Sequence, residues 1–294
     1  MKQLLYLLTV AVIIIYSCIH SELITAGCRS GILLWYESII PVTLPFMIMT
    51  GIIAHSTSNM NLSRTQGYIM AILIGLLCGF PTGTIIISSL YDRDVLPQNA
   101  SQILLPLCNN ISPMFMVAYI YPNYLRSTLT LQLAIVLVYT PQILFTIVMF
   151  LLYRNSTVHT TATSELCASS SDSSSQIILQ IAGNISTIGI YIVIFSIISN
   201  FISQYIHGTC GTLLSSFMEI SQGVSTIFTA TGIQTQIKTA LILSLCSFGG
   251  LSALFQSRDL IKESRLSFTK YIFGKSICGI VCFLFSMAYI TLHK

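Results

Sequence analysis

Residues 67–90 read GYIMAILIGLLCGFPTGTIIISSL, an apolar run that is interrupted in its middle by Phe80-Pro81-Thr82-Gly83. A transmembrane helix needs about 20 apolar residues, so the run is long enough to cross a bilayer. Proline removes a backbone donor and obstructs the preceding turn, and glycine permits dihedrals that a helix does not use. The sequence therefore predicts a helix that breaks at membrane depth. The alternative is a simple proline kink in a packed helix.

A break at that depth indicates a candidate site. Lipid cannot satisfy freed N–H and C=O groups, so broken backbone is tolerated only where it is buried in protein or lines a cavity. The first candidate binding residues are therefore Phe80, Pro81, Thr82 and Gly83. The half-helix N-termini at such a break carry exposed amides and a partial positive charge, which suits an anion.

The composition of the whole chain agrees with a membrane location. Of 294 residues, 54% are hydrophobic and 7% charged, and the mean hydropathy is +0.82. A soluble chain carries about a quarter charged residues. This composition excludes a cytosolic enzyme and a secreted disulfide scaffold, and the net charge of +4 is too dilute for nucleic-acid binding. The predicted fold class is all-α: a polytopic helical membrane protein that contacts the lipid bilayer.

Nine apolar segments are candidates for crossing the membrane. They cover about residues 3–20, 31–54, 67–90, 100–121, 129–153, 176–206, 211–233, 236–257 and 269–292. The first is expected to be a retained signal anchor, because no small-x-small cleavage site follows it. Trp35 and Tyr36, at the start of the second, are typical of interfacial anchors. Residues 155–175 are rich in Ser and Thr, which predicts a flexible loop. This loop separates a first membrane half, residues 1–154, from a second, residues 176–294.

The two halves share a short sequence pattern. Cys78-Gly79-Phe80-Pro81-Thr82-Gly83 in the first half corresponds to Cys246-Ser247-Phe248-Gly249-Gly250 in the second. Related halves are common in secondary transporters. The match predicts a second break, and it adds Ser247, Gly249, Gly250 and Ser252 to the candidate binding residues.

The positive charges test whether the two interrupted segments cross. If all nine segments cross, seven Lys and Arg residues share one side against five on the other. If 67–90 and 236–257 are re-entrant hairpins, nine Lys and Arg residues lie on one side of the membrane and three on the other. The nine are Lys2, Arg64, Arg93, Arg154, Lys238, Arg258, Lys262, Arg265 and Lys270, and the three are Arg29, Arg126 and Lys294. The hairpin arrangement obeys the positive-inside rule better and places the N-terminus in the cytoplasm. It puts both hairpins on one face. Inverted repeats would need opposite faces, so either the repeats are parallel or one crossing is miscounted.

Polar residues in other apolar segments complete the candidate site. Asn109 and Asn110, with Ser112 nearby, lie between two prolines, and buried amides there must contact either a ligand or freed carbonyls. Glu219 lies in a predicted span and would share a polar helical stripe with Ser215, Gln222, Thr226 and Thr229. Such a carboxyl is a candidate proton or cation coupling group, or else a structural hydrogen-bonding partner.

Catalytic and cofactor motifs are not recognisable in the sequence. There is no Gly-x-x-x-x-Gly-Lys-Ser/Thr loop, no His-Glu-x-x-His and no Gly-x-Ser-x-Gly. Cys278 and Cys282 lack the further ligands that a zinc site needs. We therefore expect no enzymatic activity, no cofactor and no metal, and any transport would be gradient-driven or passive.

Several motifs resemble one known family. They are Gly31-Ile32-Leu33-Leu34-Trp35, Ile40-Pro41-Val42-Thr43-Leu44-Pro45-Phe46, Gly79-Phe80-Pro81-Thr82-Gly83, Cys108-Asn109-Asn110-Ile111-Ser112-Pro113-Met114-Phe115, Met218-Glu219-Ile220-Ser221-Gln222-Gly223 and Ser247-Phe248-Gly249-Gly250-Leu251-Ser252. Their order and spacing resemble the sporulation integral membrane proteins of the YlbJ type, which belong to the nucleoside-recognition Gate group. The resemblance extends through nearly the whole chain. The stretches Thr84–Ser89 and Gln98–Gln102 carry fewer charges than the family pattern.

The resemblance implies a function in the bacterial cell (inner) membrane. It implies export of dipicolinic acid, a small organic anion, from the mother cell during sporulation. A protonated Glu219 would avoid repelling such a substrate. One alternative is a nucleoside or other neutral-solute carrier, for which the Asn and Glu groups would contact ribose and base. Another is a membrane scaffold without transport activity. The sequence also allows a homo-oligomer.

Overall fold

The structure is a computed structural model that describes residues 16, 18–58, 62–153 and 174–292. The described part is all-α and contains six helices long and apolar enough to cross a membrane. The predicted fold class of a polytopic helical membrane protein is confirmed. Most of the predicted first segment, 3–20, and of the predicted loop, 155–175, lies outside the described residues.

The first half contains a long helix, a hairpin, a broken helix and a second long helix. Their parts are α1 (Ser21–Leu34), π1 (Trp35–Ile39), α2 (Ile40–Ser58), α3 (Arg64–Cys78), α4 (Thr82–Asp92), α5 (Gln98–Cys108), α6 (Pro113–Phe115), π2 (Met116–Leu125) and α7 (Leu131–Leu152). Here π1 and π2 are π-helical turns that continue α1 and α6.

The second half follows the same order. It consists of α8 (Ser174–Tyr205), α9 (Gly208–Ser216), α10 (Ile220–Thr229), α11 (Thr235–Phe248), α12 (Gly250–Gln256), α13 (Arg258–Glu263) and α14 (Phe268–Leu292). In each half a pair of short helices packs side by side, α3 with α4 and α9 with α10. We call these pairs hairpin 1 and hairpin 2.

Each hairpin is followed by a helix that is broken but keeps its direction. The first, α5 to π2, forms one apolar span over Gln98–Leu125, and the second, α11 to α12, forms another over Thr235–Gln256. The most apolar stretch of each is 72% buried, against 11–33% for the other four spans. The broken helices therefore form the centre of the molecule, and the unbroken helices face lipid. This arrangement is expected, because lipid cannot hydrogen-bond the free N–H and C=O groups at a break.

Local sequence explains the break in hairpin 1. Helix α3 begins at a capping box, in which Ser63 and Gln66 satisfy each other's backbone amides. It ends at Gly79, whose φ of +72° is in the left-handed region. A Cβ there would lie 2.7 Å from the Asn110 carbonyl oxygen, so glycine is also required by close approach. The predicted break at Phe80 to Gly83 is confirmed.

The prediction for the second hairpin is wrong. Residues 236–257 cross as the broken helix α11–α12, and it is the predicted crossing 211–233 that folds back, as hairpin 2. Its tip, Phe217 to Glu219, contains neither proline nor glycine. The tip is held by a distant segment: the amides of Leu251 and Ser252 donate to the carbonyls of Phe217 and Met218, both at 2.9 Å.

The ends of the elements define two faces of the molecule. Asp92 accepts a hydrogen bond from Ser264, which joins the base of hairpin 1 to the α13–α14 loop. Gln102 accepts one from the Ser267 amide, which joins the first turns of α5 to the same loop. We call this the basic face, because Arg64, Arg93, Arg258, Lys262, Arg265 and Lys270 lie at it. Hairpin 2 starts and ends at the opposite face, where α8 also ends. The two hairpins therefore enter from opposite faces.

The predicted interfacial anchors at the start of the second segment are also wrong. The helix begins at Ser21, which puts Trp35 near its middle, where the ring packs on Gly189 of α8. Gly27 and Gly31 allow this approach, because a Cβ on either would lie within 2.8 Å of a backbone Cα of α8.

Candidate functional site

The break in the first broken helix brings several polar side chains together in the interior. Helix α5 ends at Cys108, and the next helix begins only after Ser112, which caps it by accepting from the Phe115 amide at 3.1 Å. Asn109 and Asn110 lie in the gap and are fully buried. The tip of hairpin 1 closes on them, because the Phe80 amide donates to the Asn110 carbonyl at 2.9 Å.

Lys275 of α14 is the basic side chain of this cluster. It lies inside the span Phe268–Leu292, and its side chain has no solvent exposure. Its Nζ donates to Asn110 Oδ1 at 3.2 Å and lies 5.1 Å from the centre of the Phe80 ring. In the part of the chain that the structure describes, no carboxylate forms an ion pair with it. A buried ammonium without a counter-charge is costly.

Asn109 is fixed by two hydroxyl groups. Its Nδ2 donates to Ser257 Oγ at 2.7 Å and to the Tyr271 hydroxyl at 2.6 Å. All three side chains are fully buried. Asn109 Oδ1 and Asn110 Nδ2 have no partner among the described residues. We call the cluster of Phe80, Asn109, Asn110, Ser257, Tyr271 and Lys275 the lysine site.

The orientation of the Asn110 amide follows from its neighbours. Lys275 is only a donor, and the Ile111 amide also donates to the same oxygen at 3.0 Å. The NH₂ group of Asn110 is therefore the free donor. The lysine site thus offers a cation and an unused N–H donor, a combination suited to a carboxylate.

Two further candidate residues, Glu219 and Gln222, lie at the tip of hairpin 2 and in the turn that follows it. Glu219 is 2% exposed and caps α10, accepting from the Gln222 amide at 2.8 Å. The predicted polar stripe is wrong, because Glu219 lies at a break with extended backbone and does not continue the helix of Ser215. Gln222 Nε2 donates to Ser30 Oγ of α1 at 2.6 Å.

Gly249 and Gly250 lie between the two clusters. Gly249 has a φ of +100°, and a Cβ on it would overlap the Phe80 ring. A Cβ on Gly250, where φ is +72°, would lie 3.1 Å from the Ile220 amide nitrogen, next to Glu219. The predicted site residues are therefore divided between the lysine site and the Glu219 pocket, which share this glycine pair.

The other predicted residues have structural contacts. Ser247 accepts from Gln142 Nε2 at 2.8 Å and donates to the Cys278 carbonyl at 3.2 Å, which ties α11 to α7 and α14. Ser252 Oγ accepts from Gln256 at 3.3 Å. Gly83 packs directly on the Cys108 carbonyl, and Pro81 accepts the Thr84 amide at 2.9 Å. Thr82 is buried, and its hydroxyl has no partner among the described residues.

Several backbone amides at two of the breaks are hydrogen-bonded. The amides of Gly83, Thr84 and Ile85 donate to carbonyls of the hairpin 1 tip, and those of Leu251 and Ser252 donate to the hairpin 2 tip. These five amides are therefore not free to bind an anion.

Lys275, Tyr271 and Ser257 were not found from sequence. Lys275 does carry a signal, because an ionisable residue inside an apolar span is by default a functional candidate. Tyr271 and Ser257 carry none, since both lie near helix ends where such residues are common. Among the described residues no group of three or more His, Cys, Asp or Glu side chains could hold a metal ion.

Comparisons with protein-family models, with curated proteins and with solved structures found no match to this chain. The class of the protein therefore rests on its own fold. It is a multi-pass helical membrane protein with two hairpins and two broken helices at its centre.

Proposed function

We propose that the protein transports a small organic anion across the membrane and binds it at the lysine site. The observation that carries the proposal is the Lys275 ammonium, buried in a span with no carboxylate partner in the described part of the chain. Leaving such a charge unpaired costs several kcal/mol, roughly, in a protein interior. A bound carboxylate would provide the missing counter-charge.

The neighbours of Lys275 fit an aromatic carboxylate. Asn110 Nδ2 is a free donor for a second carboxylate oxygen. The Phe80 ring lies beside the ammonium and offers a face for an aromatic ligand. Dipicolinate, which the sequence resemblance implies, is a planar aromatic with two carboxylates, and we take it as the first substrate to test.

The inverted arrangement of the two halves supports transport rather than a scaffold role. Each hairpin tip binds the broken helix of its own half by main-chain hydrogen bonds, and the hairpins enter from opposite faces. Two hairpins that enter from opposite faces would allow the protein to open toward one side or the other in turn, which is what alternating access requires. Among the residues that the structure describes, six Lys and Arg residues lie at the basic face, and Arg29, Arg126 and Lys238 lie toward the other. We therefore place the basic face in the cytoplasm.

The test compares Lys275→Met with Lys270→Met in proteoliposomes loaded with labelled dipicolinate. Both residues belong to α14, but Lys270 is exposed at the basic face. We expect Lys275→Met to lower flux about a hundredfold and Lys270→Met to leave it near the wild-type rate. Normal flux in Lys275→Met would contradict the proposal.

A second substrate separates the neutral-solute alternative. Labelled uridine is measured in the same vesicles with the same two variants. Uridine flux that survives in Lys275→Met, with no dipicolinate flux in the wild type, would identify a nucleoside carrier instead.

A further inference from the structure

Glu219 is a second buried charge, opposite in sign to Lys275. Its carboxylate is 2% exposed, and no Lys, Arg or His of the described chain forms an ion pair with it. Its carboxylate accepts a hydrogen bond from the Gln222 amide at 2.8 Å, which partly compensates the charge as a helix cap does. A cap alone does not require a carboxylate, because Asn or Ser serves equally well at this position.

The surroundings of Glu219 are polar but neutral. Hairpin 2 contributes Ser221, which is fully buried, and Gln222, whose Oε1 has no partner among the described residues. The Tyr119 hydroxyl of π2 interacts electrostatically with Glu219 and contacts the Tyr124 hydroxyl at 3.4 Å. From α12, Gly250 lies beside Ile220, and the amides of Leu251 and Ser252 bond the two residues before Glu219. These oxygen atoms suit a small cation.

The Glu219 pocket is separate from the lysine site but mechanically joined to it. Gly249 contacts the Phe80 ring, which lies over the Lys275 ammonium, and the next residue, Gly250, contacts Ile220 beside Glu219. A shift of the broken helix at this glycine pair would therefore change both charged groups together.

From this geometry we infer that Glu219 binds a monovalent cation, a proton or Na⁺, that accompanies the anion held by Lys275. The inference rests on the proposed function. It assigns Glu219 to a cation site that does not touch the substrate. When both ligands are bound, each buried charge has its counter-charge, so the loaded protein can change conformation without exposing an uncompensated ion to lipid.

A surface groove on α1 lies near Gln222. It is lined by Ser21, Glu22, Thr25, Ala26, Arg29, Ser30 and Leu33. Ser30 also accepts a hydrogen bond from Gln222 Nε2 at 2.6 Å, and so joins this part of α1 to the first turn of α10.

The experiment separates coupling from binding. Wild-type proteoliposomes receive either an inward proton gradient or an inward Na⁺ gradient, and uphill dipicolinate accumulation is compared with dipicolinate exchange at equilibrium. We expect one of the two gradients to drive accumulation, which identifies the cation. No accumulation with either gradient, while exchange is measurable, would overturn the inference without affecting the proposed function. Absence of exchange in the wild type would instead overturn the proposed function.

Variants test whether the carboxylate itself is needed. We expect Glu219→Gln and Glu219→Asn to lower the ratio of accumulation to exchange about tenfold. Glu219→Asn keeps an oxygen that can cap α10, so an unchanged ratio in this variant would show that Glu219 is only a structural cap. Glu263→Gln, which neutralises an exposed acid at the basic face, is the matched control and should keep the wild-type ratio.

Discussion

The two pairs of hairpin and broken helix have the same geometry but opposite polarity. In the first pair the hairpin tip donates, from the Phe80 amide to the Asn110 carbonyl. In the second pair the hairpin tip accepts, since Phe217 and Met218 receive the amides of Leu251 and Ser252. The first pair adjoins a buried ammonium and the second contains a buried carboxylate. One backbone arrangement thus supports two sites of opposite charge.

The means of breaking the helix also differ between the pairs. The first pair uses Pro81 at the tip and a four-residue gap, Asn109 to Ser112, whose side chains remain available for binding. The second uses Gly249 and Gly250, which leave no side chain at the break. The first break therefore presents side chains to the proposed ligand, whereas the second presents only backbone.

The largest expected effect comes from filling the space at the second break. Gly249→Ala places a methyl group in the Phe80 ring and forces a residue with a side chain into the left-handed region, which costs about 1–2 kcal/mol for the backbone and about 1–3 kcal/mol for overpacking. We expect a large fall in the temperature of unfolding in detergent and in dipicolinate flux.

Gly232→Ala is the control for this change. Gly232 has a similar φ of +82°, but nothing lies within 4 Å of its Cβ position. It should show the backbone cost alone. A Phe80→Leu substitution added to Gly249→Ala should restore part of the stability. Equal losses in the two glycine variants would show that contact between the breaks is unimportant.

The two asparagines of the first break should differ in their effect on flux. Asn110→Leu removes the partner of Lys275, whereas Asn109→Leu leaves two neutral hydroxyls, those of Ser257 and Tyr271, without a donor. Hydrogen bonds to charged groups contribute about 1.5–3 kcal/mol and neutral ones about 1 kcal/mol. We expect Asn110→Leu to lower dipicolinate affinity more, measured by flux against substrate concentration. The reverse order would mean that the ligand contacts Asn109 instead.

The smallest expected effect concerns a predicted binding residue that the structure places in a cap. Ser112→Ala removes the side-chain acceptor of the Phe115 amide, which should lower the free energy of unfolding by about 1 kcal/mol. Flux should remain close to the wild-type rate once the amount of folded protein is equal. A loss of substrate affinity in this variant would restore Ser112 to the binding site.

Composition and the apolar segments were sufficient to predict the fold class and the first hairpin. Phe80 to Gly83 gave a local signal for that hairpin, because proline and glycine disfavour a helix whatever surrounds them. Hairpin 2 had no such signal. The helix ends at Phe217 to Glu219 because the amides of Leu251 and Ser252 donate to the carbonyls of Phe217 and Met218. A local sequence pattern cannot reveal contacts between residues so far apart in the chain.

Because hairpin 2 has no local signal, the predicted alignment of the two halves was wrong by one structural element. The sequence match aligned the tip of hairpin 1 with Phe248 to Gly250, whereas the order of elements aligns it with Phe217 to Glu219. With hairpin 2 in its observed place, the hairpins enter from opposite faces. The choice between parallel repeats and a miscounted crossing is thereby resolved in favour of the miscount. Lys238 lies at the opposite face, not with the basic residues.

At the candidate site, the residues predicted from sequence were those with an unusual local character, such as Asn109, Asn110 and Glu219. Their division into two clusters was not predictable, since it depends on the packing of α14 and hairpin 2 around the broken helices.

Phe80 is attached to hairpin 1, yet its ring rests on the backbone of the other half at Gly249 and covers the Lys275 ammonium. An aromatic side chain is stiff, so it cannot adjust to one neighbour without disturbing the other. If hairpin 1 moves toward the basic face, the Phe80 ring moves with it. Lys275 then becomes accessible, and the contact that restricts Gly249 and Gly250 is lost in the same step. One residue would thus synchronise the two halves with no need for a separate relay.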